Sequence, residues 1–151
     1  MRVGTAEAAV AAAEGSGFAW LHYCDATREE LSALVGLLGL HDLSIEDCFD
    51  DNQIPKIEDY PDHTFILFNT FDYANGALEI GEVNLFIGKK FLVSISHLNS
   101  RKRPYLEGIQ RFVERSLEGA RQGPSELMYL ILDFVVDQKF VAIEALEDEL
   151  D

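Results

Sequence analysis

The stretch GEVNLFIGKKFLVSISH, residues 81–97, decides the fold of this chain. Two runs rich in β-branched and aromatic residues flank a short polar segment, Gly88-Lys89-Lys90, and this pattern is typical of an antiparallel β-hairpin. We therefore predict one strand over residues 81–87 and a second over residues 91–97, joined by a tight turn.

Further strands and a first helix are predicted on the N-terminal side of this hairpin. Residues 18–24 are rich in aromatic side chains and predict a strand. Asp25 or Thr27 offers an N-cap for the helix that follows, and Gly39 ends that helix. Residues 63–73 predict a long strand, and the turn signal Asn75-Gly76 leads from it into the hairpin, so the pairing of consecutive strands is antiparallel.

Other segments carry helical patterns. Residues 40–51 predict a short helix with Ser44 as its N-cap, and residues 101–121 predict a longer helix with one apolar face. Pro124 suits the first turn of a last helix, which runs to the end of the chain. Residues 7–14 are alanine-rich and predict a short helix at best, so we expect residues 1–17 to form an arm, possibly a flexible one.

Composition limits the possible functions. The chain has 151 residues, which suits one domain, and 27 acidic against 12 basic residues give a formal net charge of −15. Such a charge repels phosphate backbones and excludes nucleic acid as a natural partner, whereas it suits cations or a basic surface. The two cysteines and four histidines show no zinc-finger spacing, and no apolar run approaches the roughly 20 residues that cross a bilayer.

The last predicted helix carries a row of carboxylates. At about 100° per residue, six of them fall within about 60° of one another around the helix axis. They are Glu126, Asp133, Asp137, Glu144, Asp148 and Asp151. A solvated acidic face is the simplest interpretation of the distal part, Glu144 to Asp151. Asp133 differs because apolar residues flank it on both sides, so we expect it to need a partner or a ligand.

A second group of carboxylates lies between the first helix and the long strand. It comprises Glu46, Asp47, Asp50, Asp51, Glu58, Asp59 and Asp62. Hard cations such as Mg²⁺ take carboxylate ligands, but this spacing matches no EF-hand loop. Catalytic patterns are absent from the sequence, because no serine lies in a nucleophile elbow and no cysteine adjoins a histidine, so we do not predict an enzyme.

Five segments give the chain a resemblance to a known family, and they occur along the chain in the same order as in that family. Residues 40–48 (LHDLSIEDC) and 55–60 (PKIEDY) resemble the signature near the start of the cytoplasmic domain in CorA-family divalent-metal transporters. Residues 20–22, 83–95 and 129–137 resemble that family's early tryptophan strand, its sheet hairpin and the start of a helix with the pattern YLILDFVVD. Asp42 stands where the family usually has proline.

The resemblance implies an α/β fold with a mixed, largely antiparallel sheet sandwiched between helical layers. It divides the chain into an arm (1–17), a cytoplasmic domain (18–123) and the start of a long stalk helix (124–151), with the membrane helices beyond the chain. Glu46, Asp47 and Asp133 match the family's regulatory metal ligands. Family members are homopentamers with membrane helices, and this domain lies on the cytoplasmic face of the plasma membrane, where interface carboxylates bind Mg²⁺ and hold the pore closed.

Two alternatives remain open at this point. The domain could belong to a Zn²⁺ transporter of the same superfamily, because the signature loop that would separate the two groups is not in this sequence. Alternatively, the chain could be an acidic scaffold whose last helix binds a basic partner. We expect metal binding by this segment alone to be weak, with Mg²⁺ preferred over Co²⁺ or Zn²⁺ as the regulatory ion.

Overall fold

The computed structural model describes residues 4–15, 17–50, 53–116 and 123–151. In chain order the described elements are α1 (Ala6–Ala12), β1 (Ala19–Cys24), α2 (Arg28–Leu38), α3 (Asp42–Asp47), β2 (Lys56–Asp59), β3 (Thr64–Ala74), β4 (Ala77–Ile87), β5 (Phe91–Ser96), α4 (Ile109–Ser116) and α5 (Pro124–Leu150).

The strands form one five-stranded sheet in the order β1-β5-β4-β3-β2. Strand β1 pairs with β5 in parallel, and every other neighbouring pair is antiparallel. The hairpin predicted from residues 81–97 is therefore confirmed, and it forms the middle of the sheet. Between β3 and β4 the turn residues Asn75 and Gly76 have φ angles of 54° and 78°, which matches a primed two-residue hairpin turn.

Helices cover both faces of the sheet, so the predicted sandwich is confirmed. One buried cluster joins α2 and α3 to one face through residues that include Leu31, Leu34, Ile45, Phe65 and Phe86. The other joins α4 and α5 to the opposite face through residues that include Val83, Leu92, Ile109, Leu127 and Ile131. Neighbouring β4 residues such as Leu85 and Phe86 enter opposite clusters because side chains alternate along a strand.

Local signals explain how the first long helix begins and ends. The Thr27 hydroxyl accepts a hydrogen bond from the Glu30 backbone N–H at 3.2 Å, and the Glu30 carboxylate accepts one from the Thr27 backbone at 3.0 Å. This reciprocal capping box selects Thr27 over Asp25 as the N-cap of α2. Gly39 ends the helix in a left-handed conformation, with φ at 72°, as its position in the sequence predicts.

Two predicted helix starts are wrong. Helix α3 is capped by His41, whose ring nitrogen Nδ1 accepts from the Leu43 backbone N–H at 3.2 Å, and Ser44 is instead buried within the helix. Helix α4 begins at Ile109 rather than near residue 101, because Asn99 ties residues 99–103 into a turn: its side-chain oxygen accepts from the backbone N–H groups of Arg101 and Arg103. The predicted helix ends at Asp51 and Arg121 lie outside the described residues.

The N-terminal and C-terminal helices both pack on the domain. Ala6 and Ala9 of α1 contact the cluster under α2, and the arm has helical structure from Ala6 to Ala12. Helix α5 begins at Pro124, as predicted, and spans 27 residues, or about 40 Å. The first half of α5 packs on the sheet and contributes buried residues to the core, so this half forms part of a helical layer of the domain. The domain boundaries themselves stay predictions.

Candidate metal centre

Glu46 and Asp47 lie side by side at the end of α3 and point away from the core. Their positions follow from the residues around them, because Ser44, Ile45 and Cys48 face inward and are almost completely buried. Glu46 is exposed, and the Asp47 side chain keeps 22% of its surface accessible. Both carboxylates are thus available to a ligand that approaches from outside the chain.

Asp47 already has a cationic partner. The Lys56 ammonium lies 2.6 Å from Asp47 Oδ2 and 3.0 Å from Glu58 Oε1, so it bridges the two carboxylates. Lys56 and Glu58 project from the same face of β2 because alternate residues of a strand share a face. The hydrogen bond from Lys56 to Asp47 raises the pKa of the ammonium, which therefore stays charged at neutral pH.

A ladder of rings fixes α3 against the sheet. The His41 ring stacks on Tyr60 with a centroid distance of 4.6 Å, and Tyr60 stacks on His63 at 4.9 Å. The Tyr60 hydroxyl lies 3.1 Å from the Ser44 hydroxyl and 3.5 Å from Glu58. These contacts position the end of α3 relative to β2, and with it the geometry between Asp47 and Lys56.

The third predicted ligand, Asp133, lies on the exposed side of α5. Ile131 and Val135 occupy the buried side of that helix, at 0% and 1% exposure. Tyr129 and Val136, which neighbour Asp133 on the helix surface at i−4 and i+3, are 62% and 46% exposed. Asp133 therefore lies among apolar side chains, as predicted, but on the surface rather than in the interior.

The sheet separates Asp133 from the pair on α3. Helix α3 belongs to the cluster on one face of the sheet, and α5 belongs to the cluster on the other. Within one chain, Asp133 therefore lies on the opposite side of the sheet from Glu46 and Asp47. Among the described residues, no group of three or more His, Cys, Asp or Glu side chains is arranged to hold a metal ion.

An exposed apolar row on α5 is the main surface feature that the sequence reasoning missed. It runs along the side of the helix away from the sheet. The row consists of Tyr129, Val136, Phe140, Ile143 and Leu150, which are between 39% and 79% exposed. Their spacings of 7, 4, 3 and 7 residues are typical of one face of a helix and can be read from the sequence. From the sequence, only the carboxylate row of the same helix was interpreted.

Two clefts lie elsewhere on the molecule. One of about 630 Å³ runs between α1, the edge of β1 and α4, and includes Trp20 and His22. Both side chains bond to the Ser94 hydroxyl, at 2.9 Å and 2.7 Å, and burial lowers the pKa of His22. Neither this cleft nor the next, of about 520 Å³ beside Arg101 and α5, contains Glu46, Asp47 or Asp133.

A family model described as CorA-like Mg²⁺ transporter protein matches this chain across residues 15–151. The chain belongs to this CorA-like family. The resemblance carried by the motifs at residues 40–48, 55–60 and 129–137 is thereby confirmed, and the family is one of transporters rather than of enzymes.

Two curated relatives support the assignment to the CorA-like family. The chain is 30% identical over 131 residues to the putative metal ion transporter YfjQ of Bacillus subtilis, covering 87% of this chain and 40% of that protein. It is 27% identical over 143 residues to the cobalt/magnesium transport protein CorA of Thermotoga maritima, covering 87% and 38%. The chain thus spans well under half the length of these relatives.

A solved structure supports the fold independently. The soluble domain of CorA from Methanocaldococcus jannaschii superposes with a TM-score of 0.66 at 22% identity, over 88% of this chain and 52% of that one. Among the residues that the structure describes, no helix is both long enough and apolar enough to cross a membrane.

The CorA-like chain offers donors that suit a hard divalent cation. Carboxylate oxygens are the ligands that Mg²⁺ prefers, and Mg²⁺ sites commonly use only one or two carboxylates together with retained waters. Glu46 and Asp47 would supply two such oxygens from adjacent positions of α3. The sheet keeps Asp133 away from α3, so the three carboxylates do not converge within one chain.

Proposed function

We propose that this chain is the cytoplasmic regulatory domain of a divalent-cation transporter that carries Mg²⁺ and Co²⁺. The family match over residues 15–151 carries the proposal, because it aligns nearly the whole chain with CorA-like transporters. In this proposal the membrane part lies outside the 151 residues, and the domain lies on the cytoplasmic face of the membrane in a homopentamer. Its role is regulatory rather than catalytic.

Regulation would operate through Glu46, Asp47 and Asp133 at contacts between subunits. Exposed carboxylates that face each other across such a contact repel until a cation bridges them. A divalent cation that binds between subunits therefore stabilises the closed assembly by its greater affinity for that state. The positions of α3 and α5 on opposite faces of the sheet support this arrangement, since one subunit would present Asp133 where its neighbour presents Glu46 and Asp47.

Donor chemistry favours Mg²⁺ over Zn²⁺ as the regulatory ion. All three candidate ligands are carboxylates, which suit hard cations, whereas structural and regulatory zinc sites usually contain cysteine or histidine. Cobalt and magnesium are also the ions named for the relative in Thermotoga maritima. The zinc transporter remains the second candidate, since the fold is common to both groups.

The test uses the full-length transporter in detergent and measures limited trypsin digestion against MgCl₂ concentration. We expect millimolar Mg²⁺ to protect the wild-type protein, because the closed assembly buries the contacts between subunits. The Asp47→Ala, Asp133→Ala double variant should lose most of that protection. Asp148→Ala serves as the matched control, because it removes an exposed carboxylate from α5 outside the proposed site.

Each outcome bears on a different part of the proposal. Full protection in the double variant would show that Asp47 and Asp133 are not ligands of the regulatory metal. An absence of Mg²⁺ protection in the wild-type protein would contradict metal sensing altogether. Protection by micromolar Zn²⁺ with none by Mg²⁺ would favour the zinc transporter.

A further inference from the structure

Lys56 forms an ion pair with Asp47, one of the carboxylates that the proposed regulatory metal would use. We propose that Lys56 is a tethered counter-ion that holds Asp47 in the metal-free protein and sets the Mg²⁺ concentration at which the domain responds. The inference rests on the proposed function and adds a regulatory residue to its site. In this account the ammonium and the divalent cation compete for one carboxylate.

The geometry shows how strongly Asp47 is engaged. The distance of 2.6 Å between Lys56 Nζ and Asp47 Oδ2 is that of a short, charge-assisted hydrogen bond. The Lys56 and Asp47 side chains are 33% and 22% exposed, so bulk solvent screens the pair only in part. A cation that ligates Asp47 must displace this ammonium or accept it as a close neighbour of like charge.

Glu58 gives the displaced ammonium a second partner. Its Oε1 lies 3.0 Å from Lys56 Nζ, so the ammonium can turn toward Glu58 without losing all of its ion pairing. The Glu58 carboxylate is also 3.5 Å from the Tyr60 hydroxyl, which anchors it next to α3. The exchange therefore requires a side-chain rotation and no movement of the backbone.

Local structure holds Lys56 at this place. Strand β2 pairs with β3 so that Lys56 lies opposite Leu67. The ammonium lies 6.0 Å from the centre of the buried Phe65 ring, at the edge of the core.

The consequence is a measurable shift in metal response. Replacing Lys56 by glutamine keeps the side chain polar but removes the competing charge. The Mg²⁺ concentration that gives half-maximal protease protection should then fall by roughly three- to tenfold, the range expected for one partly screened charge near a divalent ion. Lys56→Arg keeps the competing charge, so it should not lower the midpoint.

The experiment measures protection of the full-length transporter from chymotrypsin, which does not cleave at lysine or arginine, against MgCl₂ in four proteins: wild type, Lys56→Gln, Lys56→Arg and Lys89→Gln. Lys89 lies in the β4–β5 turn, so Lys89→Gln makes the same change of charge far from the site. A lower midpoint in Lys56→Gln alone supports the inference. A midpoint that is unchanged, or that shifts equally in Lys89→Gln, overturns it.

Failure of the inference is distinguishable from failure of the proposed function. If Lys56→Gln leaves the midpoint unchanged while Asp47→Ala still abolishes protection, the metal site stands and the competing role of Lys56 is wrong. If Mg²⁺ protects none of the proteins, including wild type, the proposed function and this inference both fail.

Discussion

The ammonium of Lys90, in the turn between β4 and β5, donates a hydrogen bond to the backbone carbonyl of Gly15 at 2.6 Å. It also reaches the carbonyl oxygens of Ala13 at 3.3 Å and Glu14 at 3.1 Å. Carbonyl groups at the end of a helix lack partners within the helix and carry partial negative charge. Lys90 therefore binds the C-cap residue of α1 and the two residues after it from a turn distant in sequence, and it fastens the N-terminal helix to the sheet.

We predict that Lys90→Met releases α1 while leaving the sheet intact. The variant keeps most of the apolar side chain but cannot donate to the three carbonyl groups. Amide hydrogen exchange of Ala9 to Ala13 should become at least several-fold faster, whereas the global stability should fall by no more than about 1 kcal/mol. Lys89→Met is the control, and equal exchange rates in α1 for both variants would contradict the capping role.

The two sides of α5 should differ sharply in their contribution to stability. Ile131 is completely buried against the sheet, so Ile131→Ala should lower the free energy of unfolding by about 2–5 kcal/mol. Val136 is 46% exposed on the opposite side, and Val136→Ala should cost about 0.5 kcal/mol. Urea unfolding of this 151-residue chain measures the free energy of unfolding of both variants. Similar decreases for the two would show that other atoms bury the outward side of α5.

Periodicity and turn chemistry were enough to predict the central sheet and the start of α5. Largely apolar runs on either side of the short polar turn Gly88-Lys89-Lys90 predict an antiparallel hairpin, and Pro124 can begin a helix but not continue one. These features depend on local sequence, so they can be recognised without knowledge of the tertiary contacts.

Tertiary contacts decided the features that local sequence does not predict. Ser44 is a good N-cap in isolation, but packing buries it beside Tyr60, and His41 caps the helix one turn earlier. The sequence shows that Asp133 has apolar neighbours, but only the packing of α5 on the sheet places Ile131 on the buried side and Asp133 on the exposed side. The parallel pairing of β1 with β5 likewise depends on contacts far apart in sequence.

The close approach of Tyr105 to β4 makes Gly81 sensitive to substitution. A Cβ atom at Gly81 would lie 2.7 Å from carbon atoms of the Tyr105 ring, which is closer than such atoms normally pack. We predict that Gly81→Ala lowers the free energy of unfolding by roughly 1–3 kcal/mol because the ring must move and weaken its hydrogen bond to Glu79.

Gly36 provides the matched control for this prediction. It lies within α2, and a Cβ atom there would meet nothing within 4 Å. Gly36→Ala should therefore stabilise the chain by about 0.5–1 kcal/mol, because alanine has the higher helix propensity. Thermal or urea unfolding followed by circular dichroism measures both variants. Equal effects of the same sign at the two positions would contradict the steric argument.

The two cysteines should report on the integrity of the domain. Burial, together with the nearby carboxylates of Asp47 and Glu82, raises the pKa of the Cys48 thiol to about 12, so almost no thiolate forms at pH 8. Burial also raises the pKa of Cys24, but that side chain is exposed to reagents in solution.

We therefore predict that iodoacetamide at pH 8 alkylates Cys24 in the folded chain and leaves Cys48 unmodified. The thiolate is the reactive form, so the rate at Cys24 should rise with pH up to the raised pKa. In 6 M guanidinium chloride both thiols should react at similar rates, because unfolding removes the burial that protects Cys48. Peptide mass spectrometry over time measures the two rates. Rapid labelling of Cys48 without denaturant would mean that α3 opens readily, which would also disturb the contact between Asp47 and Lys56.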